Sequence, residues 1–161
     1  MKVDFIKVLN IIKNNQGKVI ILRGTKNIGK TDTSINLVKY FSWNLGITTL
    51  FYSFDMKKEN VEKMIINKSA NLIIDDTPNI SINDICTNIQ KLYNDSKLRF
   101  IVIDVIQLVA YNGFKNLSFD IQQKRIINKL IKLSKKLNIN IFITQQIRQK
   151  ETENYNIKVL K

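Results

Sequence analysis

Five short apolar runs, rich in β-branched residues, recur along the chain at residues 18–22, 48–53, 71–74, 100–103 and 140–144. Each is too short for a helix and lacks the alternation of a half-exposed strand, so each suits a strand buried on both faces. Segments with helical spacing separate them, at residues 30–43, 57–66, 81–94 and 120–137. Strands and helices that alternate in this way make right-handed crossovers onto a mainly parallel sheet flanked by helices. The predicted class is α/β. A length of 161 residues fits one domain, since domains run to roughly 100–200 residues.

Residues 3–12 place apolar side chains at mixed three- and four-residue steps and end in the turn Asn14-Asn15-Gln16-Gly17. They read as an amphipathic helix, an extension over residues 1–16 that packs as a lid or flap. Ser81 is placed to N-cap the helix after Pro78, with Asp84 completing a variant capping box. Residues 110–118 read as a loop and residues 149–161 as a C-terminal tail.

Lone Cys86 excludes an internal disulfide, and the absence of His excludes a mixed Cys/His zinc site. Charged residues interrupt the first 18 positions, so no secretory signal is read there, and no run nears the roughly 20 apolar residues of a membrane span. A cytoplasmic protein without a membrane partner is expected. The formal charge of +13 favours a polyanionic partner. Lys far outnumbers Arg, and Ile and Asn are abundant, a composition that a nucleotide bias in the coding sequence would produce, so the charge weighs little in the choice of partner.

Chemistry concentrates in Gly24-Thr25-Lys26-Asn27-Ile28-Gly29-Lys30-Thr31, which satisfies G-x-x-x-x-G-K-[ST] where a strand hands over to a helix. Its glycines let backbone N–H groups and the helix N-terminus, with Asp32 in the first turn, face a triphosphate. Lys30 is placed to neutralise phosphate charge, and the Thr31 hydroxyl can bind Mg²⁺. Asp104, ending the run at 100–103, is expected to be the second acid on the metal side, the alternative being an Asp that caps a turn. Val105 follows it, which removes the water-activating base of those ATPases that carry that base beside the metal acid. Asp55, just after the run at 48–53, can supply a base from another strand end, or cap the next helix.

The order of motifs resembles the ATPase domain of DnaB-type replicative helicases, within the RecA-like P-loop superfamily, over about residues 17–148. Ser53-Phe54-Asp55-Met56 looks like that family's Ser-Leu-Glu-Met, and Ile74-Asp75-Asp76-Thr77-Pro78 like its Ile-Asp-Asp-Thr-Pro. Ile103-Asp104-Val105-Ile106-Gln107-Leu108 is similar to its Asp-Tyr-Leu-Gln-Leu signature, and Thr144-Gln145-Gln146-Ile147-Arg148 to its Ser-Gln-Leu-Asn-Arg. The resemblance implies a RecA-like core that takes ATP and Mg²⁺. It puts Asp55 at the catalytic glutamate position, and Gln145 where the γ-phosphate is sensed. Asn112, Gly113 and Lys115 of the 110–118 loop, with Arg148, would face single-stranded DNA.

Three departures from the family pattern lower the expected rate. Asp55 is one methylene shorter than Glu, setting its carboxylate back by about 1.5 Å, which can cost roughly 10²-fold. The segment from Met56 to Leu72 is shorter than in the family. The sequence ends before the family's later strands and arginine finger, a group worth about 10³–10⁵ in rate. The expected function is therefore ATP binding with slow or partner-dependent hydrolysis, single-stranded DNA binding and a replication-related role. Further partners would be copies of the same chain or a full-length replicative helicase. The rival readings are a non-catalytic module acting on such a helicase, and a RadA- or KaiC-like recombination ATPase. The cations Lys124, Arg125, Lys129, Lys132, Lys135 and Lys136 read as a solvated helix face. Phe41, Trp43, Phe51, Tyr52 and Phe100 read as core.

Overall fold

A computed structural model describes residues 2–65, 70–113, 116–147 and 155–161. Among them the strands are β1 (Val19–Gly24), β2 (Thr49–Ser53), β3 (Leu72–Asp75), β4 (Phe100–Asp104), β5 (Asn140–Gln146) and β6 (Tyr155–Leu160). The helices are α1 (Phe5–Lys13), α2 (Lys30–Lys39), α3 (Lys58–Met64), α4 (Ile82–Ser96) and α5 (Phe119–Leu137). The strands form one sheet in the order β3-β2-β4-β5-β1-β6. Every pairing is parallel except β1 with β6. The mainly parallel sheet expected of a RecA-like core is present.

Alternate strand residues feed two apolar layers. Ile21, Tyr52, Ile101, Ile103, Ile141 and Ile143 pack with Ile82, Ile85 and Ile89 of α4 and with Ile126, Leu130 and Leu133 of α5. Ile20, Leu22, Phe51, Val102 and Phe142 meet Ile35, Leu37 and Val38 of α2 on the opposite side. Every residue of β4 is buried. A central strand covered on both faces has no polar side to show solvent, which is why its sequence is a continuous apolar run.

Local sequence sets the helix ends. Asp4 caps α1 by accepting from the Lys7 N–H at 3.1 Å. Ser81 accepts from the Asp84 N–H at 3.0 Å, and its hydroxyl donates to the Asp84 carboxylate at 2.6 Å. Asp84 therefore closes the box on the cap hydroxyl, not on the cap N–H as a longer Glu would. Asn138 ends α5 in the left-handed region, φ 52°, a conformation Asn tolerates better than most residues.

Two expectations need correction. The helix expected near the start of the chain is no lid: Val8, Leu9 and Ile12 of α1 are buried in the α2-side layer, so the apolar face of the helix is part of the core. Residues 155–160 are no tail either. They form β6, an antiparallel edge strand in register with β1, from Val19 opposite Leu160 to Gly24 opposite Tyr155. The helical stretch expected over residues 30–43 is α2 followed directly by a π-helical turn over Tyr40–Asn44. Phe41 there stacks on Phe100 with ring centroids 4.0 Å apart, in keeping with a core role.

Candidate active site

All five parallel strands point their C-terminal ends the same way, the end at which ligands bind in open α/β sheets. A cleft of ≈ 1130 Å³ lies there. Lys26, Asn27, Gly29, Lys30, Thr31, Asp32, Asp55 and Asp104 line it, together with Val105, Gln107, Leu108, Gln146 and Ile147.

The loop between β1 and α2 is shaped by two residues with positive φ, Asn27 at 65° and Gly29 at 92°. Gly29 is the N-cap of α2 and offers no side-chain cap. The first N–H groups of the helix therefore have no side-chain acceptor from their own cap, and the positive end of the helix dipole meets the cleft. This is the arrangement that suits a phosphate. Ile28 turns inward and is buried, and its carbonyl accepts from the Val3 N–H at 3.0 Å. The segment ahead of α1 thus braces the loop from behind.

Lys30 Nζ donates to the carbonyls of Thr25 at 2.6 Å and Gly24 at 3.1 Å. Gly24, Thr25 and Ile28 therefore shape the loop without lining the cleft. Burial lowers the Lys30 ammonium below its ordinary pKa, and the charges of Asp104 and Asp55 oppose that shift. One cation and two carboxylates thus share the cleft.

Asp104, 3% exposed, has its carboxyl pushed above its ordinary pKa by burial, and the Asp55 charge adds to the rise. Hydrogen bonds from Thr144 and Thr31 and the charge of Lys30 act the other way. A nearly buried carboxylate beside a threonine hydroxyl is a hard-oxygen donor set of the kind that takes Mg²⁺ alongside phosphate oxygens. Groups of three or more His, Cys, Asp or Glu able to hold a metal are absent among the described residues. The chemistry present fits a metal held jointly with a phosphorylated ligand, with Thr31 and Asp104 as its protein side. Asp55 sits on the bend after β2, exposed and facing the same cleft.

The other predicted positions divide. Gln145 is half-buried and does not line the cleft. In β5 it is in register with Arg23, on the sheet face opposite that of Thr144, because side chains alternate along a strand. The glutamines at the cleft are Gln146 and Gln107, neither of which the sequence singles out for a role. Asn112 and Gly113 are exposed. The loop before them is anchored, since Ala110 exchanges backbone hydrogen bonds of 2.9 Å with Ile80 and Ile82. Lys115 and Arg148 lie outside the described residues. The α5 cations are all exposed, as a solvated face requires, with Arg125 donating to the Tyr111 hydroxyl at 2.9 Å.

Solved structures share this fold. The chain is similar to a structure described as an ATPase domain (TM-score 0.76, 18% identity, covering 93% of this chain and 65% of that one). It is also similar to a DnaB-like replicative helicase described with its interactions with primase (TM-score 0.72, 20% identity, 84% and 41%). A KaiC-like protein from Pyrococcus horikoshii OT3 matches with TM-score 0.67 and 15% identity over 84% and 63%. A probable replicative DNA helicase of Trieres chinensis is 24% identical over 171 aligned positions, covering 87% of this chain and 37% of that protein. The chain thus spans little more than a third of that relative. No described helix is long and apolar enough to cross a membrane. Residues 64–158, which hold Asp104 and the Gln145-Gln146 pair but begin after the glycine-rich loop, match the family described as DnaB-like helicase C terminal domain. With more than half its length in that match, the chain belongs to the DnaB-like helicase C-terminal domain family.

Proposed function

We propose that this chain is a nucleotide-driven component of DNA replication that binds ATP with Mg²⁺ and single-stranded DNA, and hydrolyses ATP slowly. The observation that carries the reading is the convergence of Lys30, Thr31, Asp55 and Asp104 from three strand ends on one cleft beside an open helix N-terminus.

In this reading the α2 N–H groups and Lys30 hold the phosphates, and Thr31 and Asp104 hold Mg²⁺, which when bound neutralises charge on the phosphate oxygens. Asp55 orients a water toward the terminal phosphate. Its short side chain and exposed position favour a low rate, because a base must lie within hydrogen-bond reach of the water it activates. Among the described residues lining the cleft the cations are Lys26 and Lys30, with no arginine. An arginine supplied from outside would raise the rate by about 10³–10⁵, which supports partner-dependent turnover by a second copy or a full-length helicase.

Steady-state phosphate release tests the reading. The wild type releases phosphate in a Mg²⁺-dependent reaction that Lys30→Ala and Asp55→Ala both abolish. Release unchanged by both substitutions would overturn the assignment. Saturable nucleotide binding with no release, joined to an altered rate when a complete helicase is added, would instead favour a non-catalytic regulatory module.

A further inference from the structure

The backbone ladder between β4 and β5 runs as far as Ile103 opposite Ile143. Beyond it β4 ends at Asp104, and the chain turns away through a 3-10 turn over Ile106–Leu108. The side chain of Gln107 then reaches back across the gap. Its Nε2 donates to the carbonyl of Gln146 at 2.7 Å, and its Oε1 accepts from the Gln146 N–H at 3.3 Å. A primary amide carries the same donor and acceptor as a peptide, so Gln107 adds one rung to the sheet where no backbone is available. The two residues are 39 positions apart in sequence, and both line the cleft.

The rung ties together the two segments that leave this end of the sheet. One runs from Gln107 through Ala110 to Asn112 and Gly113, the other from Gln146 onward. Two residues before Gln146, the Thr144 hydroxyl holds Asp104. The chain that continues through Ala110, itself held to Ile80 and Ile82, is thereby joined by the Gln107 side chain to the Gln146 backbone, two residues along β5 from the hydroxyl that holds the buried acid. Gln107 touches backbone on the far side and carries no charge, so its role is to hold geometry.

We propose that Gln107 is a positioning residue whose amide rung links nucleotide occupancy of the cleft to strand binding at the 110–113 loop. The inference rests on the reading that the chain binds both ligands. Coupling between two sites is a free energy measured as a ratio of affinities, and it is reciprocal.

The experiment measures the dissociation constant of a non-hydrolysable ATP analogue with Mg²⁺, with and without a saturating oligo-dT strand. Wild type, Gln107→Ala and Gln107→Met are compared, the last retaining the bulk of the side chain. Wild type is expected to show a ratio of about 5 or more, within the usual span of such couplings. Both variants bring the ratio to about 1, whatever they do to either affinity alone. A merely structural role weakens both constants equally and leaves the ratio intact. A ratio retained in both variants, or a wild-type ratio of 1 with both ligands bound, overturns the role of Gln107 and leaves the proposed function standing. Failure of the wild type to bind nucleotide or strand overturns the proposed function, and this inference with it.

Discussion

The Thr144 hydroxyl on β5 donates to the Asp104 carboxylate at the end of β4. The acid on the metal side is thus steadied from the neighbouring strand, in a place water scarcely reaches. Burial without a bound cation is costly for a carboxylate, and the raised pKa of Asp104 expresses that cost.

Asp104→Asn should therefore stabilise the ligand-free protein while removing Mg²⁺-dependent nucleotide binding. A carboxyl whose folded pKa lies above its unfolded value contributes stability at low pH and loses it as pH rises through the folded pKa. Relief of a buried charge worth about 1–2 kcal/mol would raise the melting temperature at pH 7 by roughly 2–8 °C. The gain should shrink as pH falls toward the ordinary carboxyl value of 3.8. Thermal melts of both proteins from pH 4 to pH 8 check the sign.

Asp55→Glu restores the methylene that separates this chain from its family pattern. If reach limits the rate, the substitution raises phosphate release by up to about 10²-fold with little change in nucleotide affinity. Single-turnover hydrolysis alongside an equilibrium titration separates the two effects. A faster rate with unchanged affinity supports the role of Asp55, and an unchanged rate refutes it.

Asp32 lies in the first turn of α2, exposed and lining the cleft. A carboxylate there favours the helix dipole by about 0.3–1 kcal/mol but repels a triphosphate. Asp32→Asn should tighten the ATP analogue roughly 3- to 10-fold at low ionic strength, with a smaller gain near 0.5 M salt, where charges are screened. Titrations at the two salt concentrations provide the check.

Ending the chain after residue 154 removes β6 and turns β1, the strand that carries the glycine-rich loop, into an open edge. Tyr155, Ile157 and Val159 pack against the α2-side layer and Leu160 against the other. Half-burial of four such side chains is worth about 3–6 kcal/mol in total. The shortened protein should unfold at a correspondingly lower denaturant concentration. An unchanged midpoint would show that β6 is dispensable.

The parts of the site set by the chain's own backbone were legible in the sequence. A G-x-x-x-x-G-K-T loop between strand and helix leaves little freedom, and an acid ending a doubly buried strand is conspicuous. Positions set by register were harder to read. Gln145 and Gln146 are adjacent, and only strand alternation decides which faces the cleft; Thr144 contacting Asp104 puts Gln146 on that side. β6 escaped notice because Tyr155, Ile157 and Val159 alternate with Asn156 and Lys158. That is the signature of a half-exposed antiparallel edge, whereas the other strands announce themselves as continuous apolar runs. Gln107 stood inside a recognised motif, but its partner is a backbone group 39 residues away, which no local pattern encodes.

Equilibrium titration of a non-hydrolysable ATP analogue, with and without Mg²⁺, into wild type and Lys30→Ala tests the central claim most directly. The account predicts saturable one-site binding that needs Mg²⁺ and weakens at least about 10-fold in the variant, a loss of about 1.4 kcal/mol or more. Absence of saturable binding by the wild type, or equal affinity in the two proteins, would contradict it.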